Sequence, residues 1–228
     1  MRSRPVLFLI GPVIVIVVAT GVLLFRSSST QAGPIDPASV QAMALSPRMD
    51  GTTAAPDFSL TDQHGRVVTL SSFRGRPVVL TFLDPHCVDV CPIISAEFVA
   101  ADRLLGHDRG GAAIVAVNVN PFVTSPADML AYSRAHQMES LGNFTFATGS
   151  PTELGAVWHH YGVFVDAPSP SADVVHTSVT LFIDRTGVTR YLAMPYVDHR
   201  ADGTSYLPRD SIFAWARGIA EVTRSLEH

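Results

Sequence analysis

The sequence predicts an α/β domain built on a mixed sheet flanked by helices. Three observations carry this. From Asp57 onward, strand-like apolar runs alternate with helix-like segments. Two of those runs, residues 77–83 and 112–119, are almost uninterrupted in apolar residues, as strands buried on both faces are. Two turn signals, Asp62-Gln-His-Gly65 and Asp184-Arg-Thr-Gly187, add antiparallel edges.

Each element follows from local signals. Residues 58–60 and 67–70 flank the first turn and predict a hairpin. Ser71 to Gly75 turns the chain into the 77–83 strand. Pro92 suits the first turn of a helix, where its missing N–H costs nothing, and that helix runs to about Leu105. Gly110 and Gly111 stop it before the 112–119 strand. Ser125 caps a second helix that extends to about His136. Residues 144–147 read as a strand. Ser150 with Glu153 opens a third helix through about Tyr161. Prolines at 168 and 170 mark a loop. Residues 177–184 and 188–194 flank the second turn, and 208–226 forms a last amphipathic helix. This order fits a thioredoxin-like domain over 57–228 with an extra N-terminal hairpin and one inserted helix.

Ahead of it, Pro5 to Phe25 carries no charge, long enough for the roughly 20-residue helix that spans a bilayer. Arg2 and Arg4 before the run favour a cytoplasmic N-terminus, placing the rest outside. A cleaved signal peptide is the competing reading, but the run exceeds the roughly 7–15 apolar residues of such peptides. The expectation is therefore a transmembrane anchor at 1–26 and an extracytoplasmic domain. Residues 27–56, rich in Ser, Ala, Pro, Gly and Thr, read as a flexible linker with a short helix around 38–45. Without Arg2, Arg4 and Arg26, 13 arginines face 20 acidic residues, a balance of −7. There is no lysine and no basic cluster, which argues against nucleic-acid binding.

Both cysteines, Cys87 and Cys91, lie in Asp84-Pro-His-Cys-Val-Asp-Val-Cys-Pro92, between a buried strand and a helix start. Such a pair can form a disulfide, exchange one, or hold a soft metal. A bridge between residues four apart closes a very small loop and stabilises little, so chemistry is the better reason for it. The helix N-terminus favours thiolate, while Asp89 between the thiols opposes it by like charge. Two thiolates and an imidazole suit Cu(I). His176 is the best-placed third ligand, since it begins the 177–184 strand, whose start lies beside the thiol turn in such a sheet. The competing role is a half-buried histidine at a strand end. His86 is the runner-up; His159 and His160 read as surface residues, and His64, His107, His136 and His199 as solvated. Asp84 and Asp89 read equally well as ligand orienters or as turn formers.

The stretches 57–65, 75–82, 87–92 and His176 through Gly187 together resemble the Sco/SenC family. The resemblance spans about residues 50 to 225. It implies a membrane-tethered thioredoxin-fold protein that binds copper through Cys87, Cys91 and His176. Cys87 and Cys91 would also be able to form a redox-active disulfide. The implied role is assembly of the dinuclear copper A centre of cytochrome c oxidase, as copper donor, as thiol reductant, or both. The partner would be the oxidase subunit carrying that centre, or another cuproprotein. Three positions depart from the family's pattern. Val88 replaces the proline after the first cysteine, and Val175 replaces the acidic residue before the histidine. Leu83-Asp-Pro-His86 replaces a glycine-aromatic-threonine lead-in.

Overall fold

A computed structural model describes residues 35–46, 54–106, 111–195 and 197–227. The expected transmembrane segment, and His107, lie outside these. Among the described residues, no helix is long and apolar enough to cross a membrane.

The central sheet has five strands. They are β3 (Val78–Leu83), β4 (Ala113–Asn118), β5 (Phe144–Ala147), β8 (Thr180–Ile183) and β9 (Thr189–Ala193), in spatial order β5-β4-β3-β8-β9. The first three run parallel, and β8 and β9 add antiparallel to β3 and to each other. All residues of β3 and β4 are buried, which is why both read as unbroken apolar runs. Their side chains alternate between two cores. Val79, Leu83, Ile114 and Ala116 face one, under α2 (Val90–Leu105), α3 (Pro126–Ala135) and α5 (Arg209–Ser225). Val78, Leu80, Phe82, Val115 and Val117 face the other. It is covered by α4 (Pro151–His160) and the antiparallel hairpin of β1 (Ser59–Thr61) and β2 (Val67–Thr69). Helices thus cover both faces, as the alternation predicts.

Helix α2 buries Cys91, Ile94, Phe98, Ala101 and Leu105, a 3-4-3-4 spacing that makes one apolar face. It packs along α5. The helix begins at Val90, two residues earlier than Pro92 suggests, so Cys91 sits inside its first turn. Helix α4 carries the expected capping box: Ser150 accepts from the Glu153 N–H and Glu153 from the Ser150 N–H. Ser125 caps α3 through the Ala127 N–H.

Two features differ from the sequence reading, and a third goes beyond it. Strand β8 starts at Thr180, so His176 does not begin it. That histidine belongs to β7 (Val175–His176), which pairs with β6 (Val165–Asp166) outside the central sheet. A second short pair, β10 (Asp198–His199) with β11 (Ser205–Tyr206), precedes α5. Within the expected linker, α1 (Pro37–Ala42) is the anticipated short helix, and it packs on α5 with Met43 fully buried behind it.

Candidate metal centre

The central strand β3 delivers the chain to a tight turn at its C-terminal end. The Asp84 carboxylate accepts the His86 N–H at 2.9 Å, and the Asp84 carbonyl accepts the Cys87 N–H at 3.2 Å. These bonds close the turn and set Cys87 in front of the first turn of α2. An N–H in a first helical turn has no partner within its helix. The Cys91 N–H instead donates to Cys87 Sγ at 3.4 Å. Both cysteines are free thiols; Cys87 is half-buried and Cys91 is 1% exposed.

The two thiols differ sharply. A hydrogen bond from the Cys91 thiol does most to lower the Cys87 pKa, to about 6. Burial opposes the shift, and the N–H groups of Cys91, Asp89 and Val90 add to it. Cys91 is pushed well up, first by donating that bond, then by burial and by the Cys87 charge. One proton is shared, and it resides on Cys91 near neutrality. Asp89 acts otherwise than its position between the thiols suggests. Its carboxylate turns away and accepts from the Ser205 N–H at 2.9 Å and the Ser205 hydroxyl at 2.8 Å. Its own N–H helps to hold the Cys87 thiolate.

His176 lines the same cavity as the thiols, a space of about 560 Å³ walled by the 84–91 turn and by residues 170–176. Its Nδ1 lies 3.1 Å from the Thr177 carbonyl oxygen. A carbonyl only accepts, so the proton sits on Nδ1 and Nε2 keeps its lone pair. Burial depresses the His176 pKa, against smaller raising effects from that carbonyl and from Asp84. The neutral imidazole is therefore favoured, the form that ligates metals. Two sulfurs and one bare imidazole nitrogen fit a soft ion such as Cu(I). They share a cavity but not yet a coordination sphere: among the described residues, no three Cys, His, Asp or Glu side chains are grouped tightly enough to hold a metal ion.

The other expected residues separate. His86 is exposed at the cavity wall. His159 and His160 are exposed on α4. His64 pairs with Glu139 at 3.1 Å, and His136 stacks on Tyr132. His199 sits 3.2 Å from the Ser205 hydroxyl. Sequence reasoning missed Asn120, whose amide donates to the Asp84 carboxylate at 3.0 Å. The available signal was Asn118-Val-Asn-Pro121, polar residues closing an otherwise apolar strand. Asn118 accepts the Asn120 N–H at 2.8 Å and donates to the Val123 carbonyl at 2.7 Å, which fixes that loop.

A family model described as SCO1/SenC matches residues 47–202. The mitochondrial SCO2 homolog of Bos taurus is 30% identical over 132 residues, 56% of this chain and 48% of the relative. The chain thus spans about half the length of that curated relative. Chloroplastic peroxiredoxin Q of Triticum aestivum is 26% identical over 183 residues, covering 74% of this chain and 76% of the relative. Bradyrhizobium japonicum ScoI, solved with copper bound, superposes with a TM-score of 0.58 at 25% identity, over 76% of this chain and 100% of that one. With the family model matching well over half of its residues, the chain belongs to the SCO1/SenC family.

Proposed function

We propose that this protein is a membrane-tethered, extracytoplasmic copper carrier that loads Cu(I) on Cys87, Cys91 and His176 and passes it to the copper A site of cytochrome c oxidase. In this reading residues 1–26 anchor the chain, 27–56 lead from the membrane, and 57–228 carry the metal. One observation supports it above the others: a thiolate, a thiol and a bare imidazole Nε2 line one cavity. Copper is the cargo. Cys87 offers the first sulfur as thiolate, Cys91 gives up its proton on loading, and His176 completes the set. Because the three donors do not yet converge, loading draws the 170–176 segment toward the thiols. The same displacement in reverse lets ligands leave one at a time. Oxidation to a Cys87–Cys91 disulfide removes both sulfurs as donors, so redox state gates loading.

The second reading is a thiol–disulfide oxidoreductase acting on a cuproprotein's cysteines. The unequal pair favours it, since an accessible thiolate attacks and a buried thiol resolves. Peroxidase chemistry, which the peroxiredoxin likeness raises, finds less support. The Thr81 hydroxyl is spent on the Val179 carbonyl at 3.2 Å, and no arginine lines the cavity among the described residues.

The test is a Cu(I) competition titration of the reduced protein beside its His176→Ala, Cys87→Ser and Cys91→Ser variants. Tight one-to-one binding is expected, abolished by either serine and weakened by His176→Ala. Failure of the folded, reduced protein to bind would shift the function to thiol exchange.

A further inference from the structure

A second groove lies across the first turn of α2 from the thiols. It encloses about 330 Å³ between α2, the end of α3 and the start of α5. Pro92 lines it, while Val90 and Cys91 line the thiol cavity, so one helical turn separates the two spaces. Its floor is apolar: Val99 and Ala100 are buried there, and Phe213 is left 40% exposed. Its rim is cationic. Arg103 comes from α2 and Arg209 from α5, and no carboxylate lines the groove. Neither guanidinium pairs with a carboxylate among the described residues. Arg209 lies over the Phe213 ring instead, 5.6 Å from its centroid. A guanidinium so placed keeps its N–H donors for another acceptor. His136 and Gln137 close the third side. Burial keeps the His136 imidazole neutral, so the charge of the groove is that of the arginines. Gln137 holds a φ of 62°, a left-handed conformation uncommon outside glycine. Its side-chain amide has no partner among the described residues.

We propose that this groove is the docking site for an acidic, partly apolar segment of the protein that receives the copper. Carboxylates of the segment pair with Arg103 and Arg209, and an apolar side chain rests against Phe213. The chain as a whole carries 20 acidic residues against 16 arginines. An acidic partner is therefore repelled by most of the surface and drawn to the groove, which sets its orientation on arrival. An acceptor that takes an ion from Cys87 and Cys91 must approach their turn, and its surface then lies against the groove beside it. Exposed charges at such a rim act mainly on the rate of encounter and on its salt dependence. That the partner is a copper acceptor rests on the carrier reading; the chemistry of the groove does not.

The probe is a short acetylated peptide of glutamates around a single phenylalanine, with a glutamine-for-glutamate peptide as control. Each would be titrated into the reduced full-length protein in uncharged detergent micelles and followed by NMR. Saturable shifts at Val99, Ile212 and the Arg209 side chain are expected from the acidic peptide alone. They should vanish in about 1 M salt, where the screening length is about 3 Å. Arg103→Gln and Arg209→Gln should each weaken binding about three- to tenfold, between the effects of an exposed ion pair and of a charge-assisted hydrogen bond. Both arginines are exposed, so the variants keep the fold, and neither lines the thiol cavity, so Cu(I) affinity should not change. No saturable binding, equal binding of the glutamine peptide, shifts that map elsewhere, or binding indifferent to both arginines would overturn the docking site. Equal shifts from inorganic phosphate, from added anionic phospholipid or from a rise in protein concentration would assign the groove to a small anion, a lipid surface or a second copy, and overturn the acidic partner. Peptide binding without Cu(I) binding would remove the carrier reading and, with it, the copper acceptor as occupant.

Discussion

At the scale of single residues, the site turns on where one proton sits. Cys87 accepts the Cys91 thiol hydrogen and N–H groups from the first turn of α2, and its pKa falls to about 6. Below that pH Cys87 is a thiol; above it, a thiolate. Alkylation by iodoacetamide should therefore rise through a midpoint near 6 and level off by neutrality, because the thiolate is the nucleophile. Cys91, 1% exposed and holding its proton, should stay unmodified over the same range. A midpoint near the ordinary thiol value would show that the helix start and Cys91 do not stabilise the charge. The motif itself was legible because its parts are contiguous: an apolar strand, two cysteines, a proline. The partners that tune it were not. Asn120 meets Asp84 across 36 positions, and Ser205 meets Asp89 across 116. No local period encodes either meeting.

At the scale of elements, burial separates what the sequence shows from what it hides. Strands β3, β4 and β5 and helices α2 to α5 bury continuous or periodic apolar faces, so their positions were readable within a few residues. The two-residue pairs β6–β7 and β10–β11 are half-buried or exposed and have no such pattern. Yet these short pairs do the positioning. One carries His176, and the other is latched to the thiol turn through Asp89 and Ser205. Asp89 occupies the N-cap position of α2 but makes no capping bond there, because its carboxylate is committed to Ser205. Asp89→Ala should therefore spare α2 and loosen the hairpin. A partly solvated hydrogen bond contributes about 1 kcal/mol, so exchange of the Ser205 amide hydrogen should quicken about fivefold. Unchanged exchange at Ser205, or faster exchange within α2, would mean that the latch is not what holds this hairpin.

At the scale of the whole molecule, the segment ahead of the thioredoxin-like body is joined to it. The Asp36 N–H donates to Glu221 on α5 at 3.1 Å. Ser46 and Leu192 exchange two hydrogen bonds, at 2.9 and 3.1 Å. Between these ties Met43 is fully buried against α5, where Gly218 leaves room for it. A Cβ built on Gly218 would lie 2.6 Å from the Met43 sulfur and 2.7 Å from its methyl carbon. Glycine inside a helix costs about 1 kcal/mol relative to alanine, so this one is kept for packing. The sign of a substitution then depends on its neighbour. Gly218→Ala alone should destabilise, since overpacking a tight core costs about 1–3 kcal/mol and outweighs the gain in helix propensity. In a Met43→Ala background the same change meets no sulfur and should be neutral or stabilising. The coupling in this double-mutant cycle should exceed about 1 kcal/mol by denaturant unfolding. Neither residue lines the cavity, so Cu(I) affinity should not follow the stability changes. Additive effects would show that α1 and its following turn rest on α5 without depending on it, and that the domain's stable unit begins after them.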